Sequence, residues 1–280
     1  MIKYWIALIR PVNVVITVVA VYAGGVICLS SLYSGKLLLA GLAAGLIAAF
    51  GNIVNDLYDL ELDKKSKGHR PLPAALISIR DARIAAAVFA SAGIVLACFV
   101  GGFCCLLAFA NVMLLWLYTP VFKGRGYWGN ILIALICASA FPFGGLAAGN
   151  ISGSFFPALF AFALNLLREI IKDMEDLEAD SSFAIKTGAV LYGVDVSRKF
   201  AVAVGLALLI LTPLPFCFNL YGSLYLAVVI AAVDIPLLLI LAKLLRSRSS
   251  QEFRTLSGLL KMIMPAGLIA LFLGSRGYGL

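Results

Sequence analysis

Two acidic windows contain the residues whose types and spacing are best suited to chemistry. The first, NIVNDLYDLELD, covers residues 52–63, and the second, EIIKDMEDLEAD, covers residues 169–180. Together they hold ten of the fourteen acidic residues of an otherwise apolar chain. The two windows align without a gap at an offset of 117 residues. A repeat of this kind predicts that the windows perform related tasks.

The spacing within each window places side-chain oxygens on one face of a helix. Residues separated by three, four, seven or eight positions lie on the same helical face. Carboxylates held so close repel one another, and a cation relieves that repulsion. Ligand sets made only of oxygen suit Mg²⁺, which binds through carboxylates and substrate phosphates. The windows therefore predict metal ligands at Asn55, Asp56, Asp59, Asp63, Asp173, Asp176 and Asp180.

Two facing rows of this kind could hold Mg²⁺ ions bridged by a diphosphate, which would activate it as a leaving group. Basic residues beside the windows favour a phosphate ligand, because Arg and Lys are the usual phosphate contacts. Arg70 follows the first window, Lys172 lies within the second, and Lys186 comes shortly after it. A solvated acidic helix end is the alternative for one window alone, and a cation channel or transporter is the alternative for the pair.

The elements that must position these residues are membrane helices. The chain is 62% hydrophobic and 13% charged, with a mean hydropathy of +1.04, and about 20 apolar residues suffice to cross a bilayer. We predict an all-α integral membrane protein with a single domain over residues 1–280. The six cysteines lie in apolar segments without C-x-x-C spacing, and they predict neither a disulfide framework nor a metal site. The predicted spans are 10–30, 36–56, 82–101, 104–120, 128–148, 154–172, 197–218, 222–244 and 256–275, with eight or ten spans as alternatives.

Charge distribution predicts the orientation of these spans. Lys and Arg are enriched in cytoplasmic loops, and nine spans with a cytoplasmic N-terminus place 20 of the 22 basic residues on that side. Both acidic windows then also lie on the cytoplasmic side of the cell membrane. The net charge of +8 fits contact with membrane lipids rather than nucleic acid. Asp234, inside the eighth span, is either a functional carboxylate or one hydrogen-bonded at a helix break.

The windows resemble the two aspartate-rich motifs of the UbiA superfamily of membrane prenyltransferases. The first is NDLYDLELD followed by HRPLP, and the second is DMEDLEAD; the segments RPVN at 10–13 and YTPVFK at 118–123 are similar to further family segments. The resemblance implies a helical bundle in two related halves around a central cavity. It implies Mg²⁺ as cofactor and an isoprenoid diphosphate as donor, with Asp56 and Asp173 as supports of the ligands. The catalytic residues that it implies are Asp59, Asp63, Asp176 and Asp180.

The resemblance also implies roles for residues outside the windows. Arg70, Lys123 and Tyr118 would contact the diphosphate together with Lys172 and Lys186, and Arg10 and Asn13 would contact the acceptor. Within the superfamily the chain looks most like the archaeal digeranylgeranylglyceryl phosphate synthases, which implies a lipid-like acceptor and no obligate protein partner. An aromatic or chlorophyllide acceptor is the alternative. One departure is the sequence Pro73-Ala74-Ala75, where the family pattern ends in glycine.

Overall fold

Long apolar runs separated by short polar segments fold into helices throughout the computed structural model, which describes residues 1–28 and 34–276. A turn of π-helix lies at Tyr118–Phe122 and another at Ile230–Asp234, and a 3₁₀ turn lies at Ser152–Ser154. The α-helices are α1 (Ile2–Ile9), α2 (Pro11–Cys28), α3 (Gly35–Tyr58), α4 (Leu60–Ser66), α5 (Ile79–Val100), α6 (Gly102–Leu117), α7 (Trp128–Ala138), α8 (Ala140–Ala147), α9 (Phe155–Glu175), α10 (Leu177–Ser182), α11 (Gly188–Leu211), α12 (Leu214–Cys217), α13 (Ser223–Val229), α14 (Ile235–Leu244) and α15 (Ser250–Arg276).

Nine helical stretches within the described residues are long and apolar enough to cross a membrane. They confirm the predicted all-α integral membrane fold and its number of spans. Residues 29 and 30, the predicted end of the first span, lie outside the described residues. The seventh span begins at Gly188 rather than at the predicted residue 197. It contains a kink at Gly193, whose φ of 81° and ψ of 165° are not helical, so a short helical piece precedes the main part of α11.

One compact unit of the chain comprises Met1–Phe122 and Ala140–Ser152. Its central helix is α3, which packs against α2, α5 and α6. At the turn between α5 and α6, Cys98 and Cys105 form a disulfide with Cα atoms 4.6 Å apart. The sequence analysis predicted no disulfide framework and did not anticipate this pair, which becomes possible because the turn returns the chain and makes the two residues neighbours.

Helices α2 and α8 of this unit cross at unusually close range, because glycine lies at the contact. A Cβ atom on Gly144 would overlap the carbonyl oxygen of Val21, and one on Gly24 would overlap the backbone of Phe141. Small residues of this kind allow membrane helices to approach backbone to backbone.

Gly144→Ala should therefore destabilise the protein. The added methyl group meets backbone that cannot rotate away, and overpacking of this kind costs about 1–3 kcal/mol. The expected result is a lower thermal unfolding midpoint in detergent. Gly35→Ala is the matched control, because nothing lies within 4 Å of a Cβ atom there; equal unfolding midpoints for the two variants would contradict this account of the crossing.

The other compact unit comprises Lys123–Ser139 and the residues from Gly153 onward. Its central helix is α9, which packs against α7, α11 and α15. Each unit is thus organised around the helix that ends in its own acidic window, α3 in the first and α9 in the second. Two statements stay predictions: that a single membrane domain covers residues 1–280, and that it consists of two related halves around a cavity.

Candidate active site

The first acidic window spans the end of α3 and the start of α4. Asp59 lies between the two helices, with φ −83° and ψ 7°. Helical hydrogen bonding continues through it, since Asp59 N donates to Asn55 O at 2.9 Å and Asp63 N donates to Asp59 O at 2.8 Å. Asn55 Nδ2 also donates to Asp59 Oδ2 at 3.1 Å. The predicted row of oxygens is therefore held at successive turns of backbone.

The second acidic window has the same local structure. Asp176 lies between α9 and α10, with φ −91° and ψ 7°. Asp176 N donates to Lys172 O and Asp180 N donates to Asp176 O, both at 2.9 Å. Asp176 thus corresponds to Asp59 in backbone conformation as well as in sequence. The sequence repeat is a repeat of structure.

Guanidinium groups neutralise the buried carboxylates of the first window. Arg70 Nη1 donates to Asp63 Oδ2 at 2.6 Å and lies 3.5 Å from Asp56 Oδ1. Arg10 forms a close ion pair with the same oxygen of Asp56. Asp56 and Asp63 are only 3% and 1% exposed, and burying a charge is costly unless it is paired and hydrogen-bonded. The two arginines provide that pairing.

Arg10 reaches Asp56 because a second contact fixes the junction of α1 and α2. Arg10 has a left-handed backbone, with φ 56°, and Asn52 Nδ2 on α3 donates to the carbonyl oxygen of Ile9 at 2.7 Å. The structure therefore places the predicted acceptor contact Arg10 against the first window. Asn13, predicted beside it, lies in the first turn of α2, where its carbonyl oxygen accepts from Thr17 Oγ1 at 3.1 Å. Acceptor binding by both residues stays a prediction.

The loop after the first window holds a strained residue. Ala75 has a φ of 55°, in the left-handed region that costs a residue with a side chain roughly 1–2 kcal/mol. It lies where the family pattern ends in glycine. Ala75 thus adopts the left-handed backbone conformation that a glycine at this position would adopt more readily.

Polar residues that the sequence analysis did not assign support the second window. Asn130 Nδ2, on α7, donates to Asp173 Oδ2 at 3.1 Å. On α15, Ser257 Oγ donates to Glu175 Oε2 at 3.0 Å and Ser250 Oγ donates to the Glu175 carbonyl oxygen at 2.7 Å. The signal that could have identified Asn130 is an amide side chain inside an apolar span, because such groups need a partner in the membrane.

The basic loop 123–127 is attached to the segment that follows the second window. Gly126 N donates to the Lys186 carbonyl oxygen at 2.8 Å. The next residue, Tyr127, has its hydroxyl 3.0 Å from Ser197 Oγ. Burial raises the pKa of the Tyr127 phenol, and its hydrogen bond to Ser197 opposes that shift. The loop is therefore positioned by backbone and side chain together.

The predicted diphosphate contacts are distributed over the two compact units. Tyr118 starts the π-helical turn in the first unit, where its neighbour Thr119 donates to Asn55 Oδ1 at 3.5 Å. Lys123 is half-buried and Lys186 is exposed, and both belong to the second unit. Diphosphate binding by these residues stays a prediction.

The metal prediction rests on the donor chemistry of the windows. Within residues 1–28 and 34–276, no group of three His, Cys, Asp or Glu side chains converges in the way a metal ion requires. The windows nevertheless supply only carboxylate and amide oxygens, which are the ligands of hard cations. In the first window Arg70 lies within reach of both Asp56 and Asp63, so the row already attracts positive charge. The residues fit Mg²⁺ chemically, and their role as its ligands stays a prediction.

Comparison with known proteins gives a consistent result. The model of the UbiA prenyltransferase family matches residues 13–264. A digeranylgeranylglyceryl phosphate synthase of Methanococcus aeolicus is 33% identical over 278 residues, which are 98% of each chain.

Solved structures agree with the sequence comparison. One, described as "Structural and mechanistic insights into the biosynthesis of Digeranylgeranylglyceryl phosphate synthase in membranes", has a TM-score of 0.78 and 30% identity over 98% of both chains. A UbiA homologue from Archaeoglobus fulgidus, solved with GPP and Mg²⁺, has a TM-score of 0.72 and 20% identity, over 96% of this chain and 99% of the other. At 20% identity, the similarity to the Archaeoglobus fulgidus protein shows a shared fold.

Proposed function

The chain belongs to the UbiA prenyltransferase family, and from this premise we propose that it transfers a geranylgeranyl group from geranylgeranyl diphosphate to the hydroxyl group of geranylgeranylglyceryl phosphate. It is a prenyltransferase and a multi-pass membrane protein. The observation that carries the choice of acceptor is the 33% identity to a digeranylgeranylglyceryl phosphate synthase along nearly the full length of both chains.

The reaction exchanges one carbon–oxygen bond for another. The bond between C1 of the geranylgeranyl group and the diphosphate oxygen breaks, and its electron pair leaves with the diphosphate. The glycerol hydroxyl oxygen then forms a bond to C1 and gives up its proton, so that an ether and free diphosphate are the products. The allylic cation that develops at C1 is of the kind that aromatic faces stabilise.

The side chains of the two windows supply the charges that this reaction needs. Asn55, Asp59 and Asp63 in the first window, with Asp176 and Asp180 in the second, would hold Mg²⁺. When bound, the metal neutralises the charge that collects on the departing diphosphate. Asp56 and Asp173 act as supports of these ligands, because Asp56 holds Arg10 and Arg70 and Asp173 is fixed by Asn130.

The cations beside the windows bind the phosphate groups. Arg70 offers a planar guanidinium, which suits bidentate contact with phosphate, whereas Lys123, Lys172 and Lys186 act as point charges. The isoprenoid chains lie among apolar helices, where each buried CH₂ group contributes about 0.8 kcal/mol. We further propose that the N-terminus and both windows face the cytoplasm, because basic residues flank them.

A competition assay tests the choice of acceptor. The purified protein is incubated with labelled geranylgeranyl diphosphate, Mg²⁺ and equal concentrations of geranylgeranylglyceryl phosphate and a hydroxybenzoate. The expected label is in the glycerol ether, because the chain is 33% identical to a digeranylgeranylglyceryl phosphate synthase along nearly its full length. Label in the prenylated hydroxybenzoate alone would contradict the proposal and favour the aromatic-acceptor function.

A further inference from the structure

Three charged side chains form a cluster on α9 where the second acidic window begins. Glu169 is 8% exposed and lies inside a membrane-spanning stretch. Arg168 Nη1 donates to Glu169 Oε1 at 2.8 Å, and Lys172 Nζ lies 3.1 Å from Glu169 Oε2. Ionisable residues inside a membrane span are rare, and they commonly mark functional sites.

The cluster lies among further charged side chains. Lys123 is close enough to attract the Glu169 carboxylate, and Asp173 is close enough to repel it. Asp173 also accepts a hydrogen bond from Asn130. Positive and negative groups thus meet at this end of α9, and arginine and lysine side chains there are suited to bind phosphate.

Arg168 has one edge of its guanidinium group ready for such an anion. Its Nε–H is buried and donates to no group in the part of the chain that the structure describes. Nη1 is the atom bonded to Glu169, so the edge formed by Nε and Nη2 is not used by that bond. This edge carries the two parallel N–H donors that bind phosphate in a bidentate manner. The side chain as a whole is 22% exposed, although its Nε atom is buried.

We propose that Arg168 binds a phosphate group of a substrate through its Nε and Nη2 edge, and that Glu169 is the positioning residue that holds this guanidinium in place. The proposal rests on the proposed function, since it adds a contact to the same reaction. The phosphate belongs either to the diphosphate of the donor or to the phosphate of the glycerol acceptor. Both offer the same oxygen geometry to an arginine.

Direct titration tests the proposal without turnover. The full-length protein in detergent with Mg²⁺ is titrated by calorimetry with inorganic diphosphate and, separately, with geranylgeranylglyceryl phosphate. Arg168→Lys keeps the charge and removes the two-donor edge. It should therefore raise the dissociation constant of one of these ligands by about 10- to 100-fold, the effect of losing a hydrogen bond to a charged group. Weaker diphosphate binding assigns the contact to the donor, and weaker binding of the glycerol lipid assigns it to the acceptor.

Arg198→Lys is the matched control. Arg198 also has a buried Nε without a partner in the described residues, but its Nη1 binds Asp195 and its Nη2 donates to the Ser247 carbonyl oxygen at 2.7 Å. The edge formed by its Nε and Nη2 is therefore already in use at Nη2, and Arg198→Lys should bind both ligands with affinities within twofold of wild type. The proposal would be overturned if Arg168→Lys binds both ligands as wild type does, or if the two variants lose the same affinity. It would also be overturned if the wild-type protein binds neither ligand.

Glu169→Gln provides the second variant and tests the positioning role. It should raise the KM of the same substrate that Arg168→Lys affects, with kcat nearly kept, and it should add little to Arg168→Lys in the double variant, because the two residues act through one contact. Additive losses would overturn the role of Glu169. If the wild-type protein binds the ligands and forms no ether, the proposed function fails while the phosphate contact stands.

Discussion

Asp59→Ala and Asp176→Ala should each lower the rate of geranylgeranyl transfer by roughly 100- to 1,000-fold, the effect of removing one group that stabilises developing charge. The two residues occupy equivalent backbone positions at the junctions of α3 with α4 and of α9 with α10. Each would present a carboxylate to the metal that neutralises the leaving diphosphate. Initial rates at saturating donor and acceptor with Mg²⁺ measure the effect.

Asp195→Ala is the control for these two variants. Asp195 lies on α11 and its side chain is 86% exposed, so its removal changes charge by the same amount away from the windows. It should transfer at nearly the wild-type rate. Unfolding midpoints of all three variants establish that they are folded. A rate within tenfold of wild type for Asp59→Ala or Asp176→Ala would remove that residue from the proposed metal site.

Arg70→Gln should impair both substrate binding and stability. Arg70 bonds Asp63 at 2.6 Å and lies 3.5 Å from Asp56, and in the proposed function it also contacts the diphosphate. Loss of that charged contact should raise the KM for geranylgeranyl diphosphate by about 10- to 100-fold. The folded state should lose about 1–3 kcal/mol, because Asp56 keeps Arg10, whereas the remaining cation beside Asp63 within the described residues is Lys67 at 4.0 Å.

The conservative variant Arg70→Lys separates these two effects. It keeps a positive charge near Asp63 and should recover most of the stability, but it removes the planar fork and should keep a raised KM. Arg80→Gln, at an exposed position on α5, should change neither quantity. If Arg70→Gln binds the donor as tightly as wild type does, Arg70 serves only to neutralise Asp56 and Asp63.

The sequence predicted the membrane spans well because their signal is local. An apolar run of about 20 residues can satisfy its backbone in a bilayer only as a helix, so each span follows from its own composition. The acidic repeat was equally readable, and its gapless offset carries over to the backbone conformation of Asp59 and Asp176. The start of α11 at Gly188 was missed, because polar residues between 195 and 199 interrupt the apolar run and Gly193 kinks the helix just before them.

Contacts between distant segments could not be predicted in the same way. The pairing of Arg10 with Asp56 depends on the left-handed backbone at Arg10 and on the bond from Asn52 to Ile9, and no periodicity reports either feature. The short helix α1 was missed because its eight residues are too few to span a membrane. The support of Asp173 by Asn130 joins residues that are 43 positions apart, so only the packing of α7 on α9 brings them together.

The central claim is that this chain forms an ether from geranylgeranyl diphosphate and geranylgeranylglyceryl phosphate with the help of Mg²⁺. The most direct measurement quantifies diphosphate released and ether formed by the purified wild-type protein, in Mg²⁺ and in EDTA. The account predicts equal amounts of the two products in Mg²⁺, loss of both in EDTA, and recovery when Mg²⁺ is restored. No diphosphate release with this acceptor, or undiminished transfer in EDTA, would contradict it.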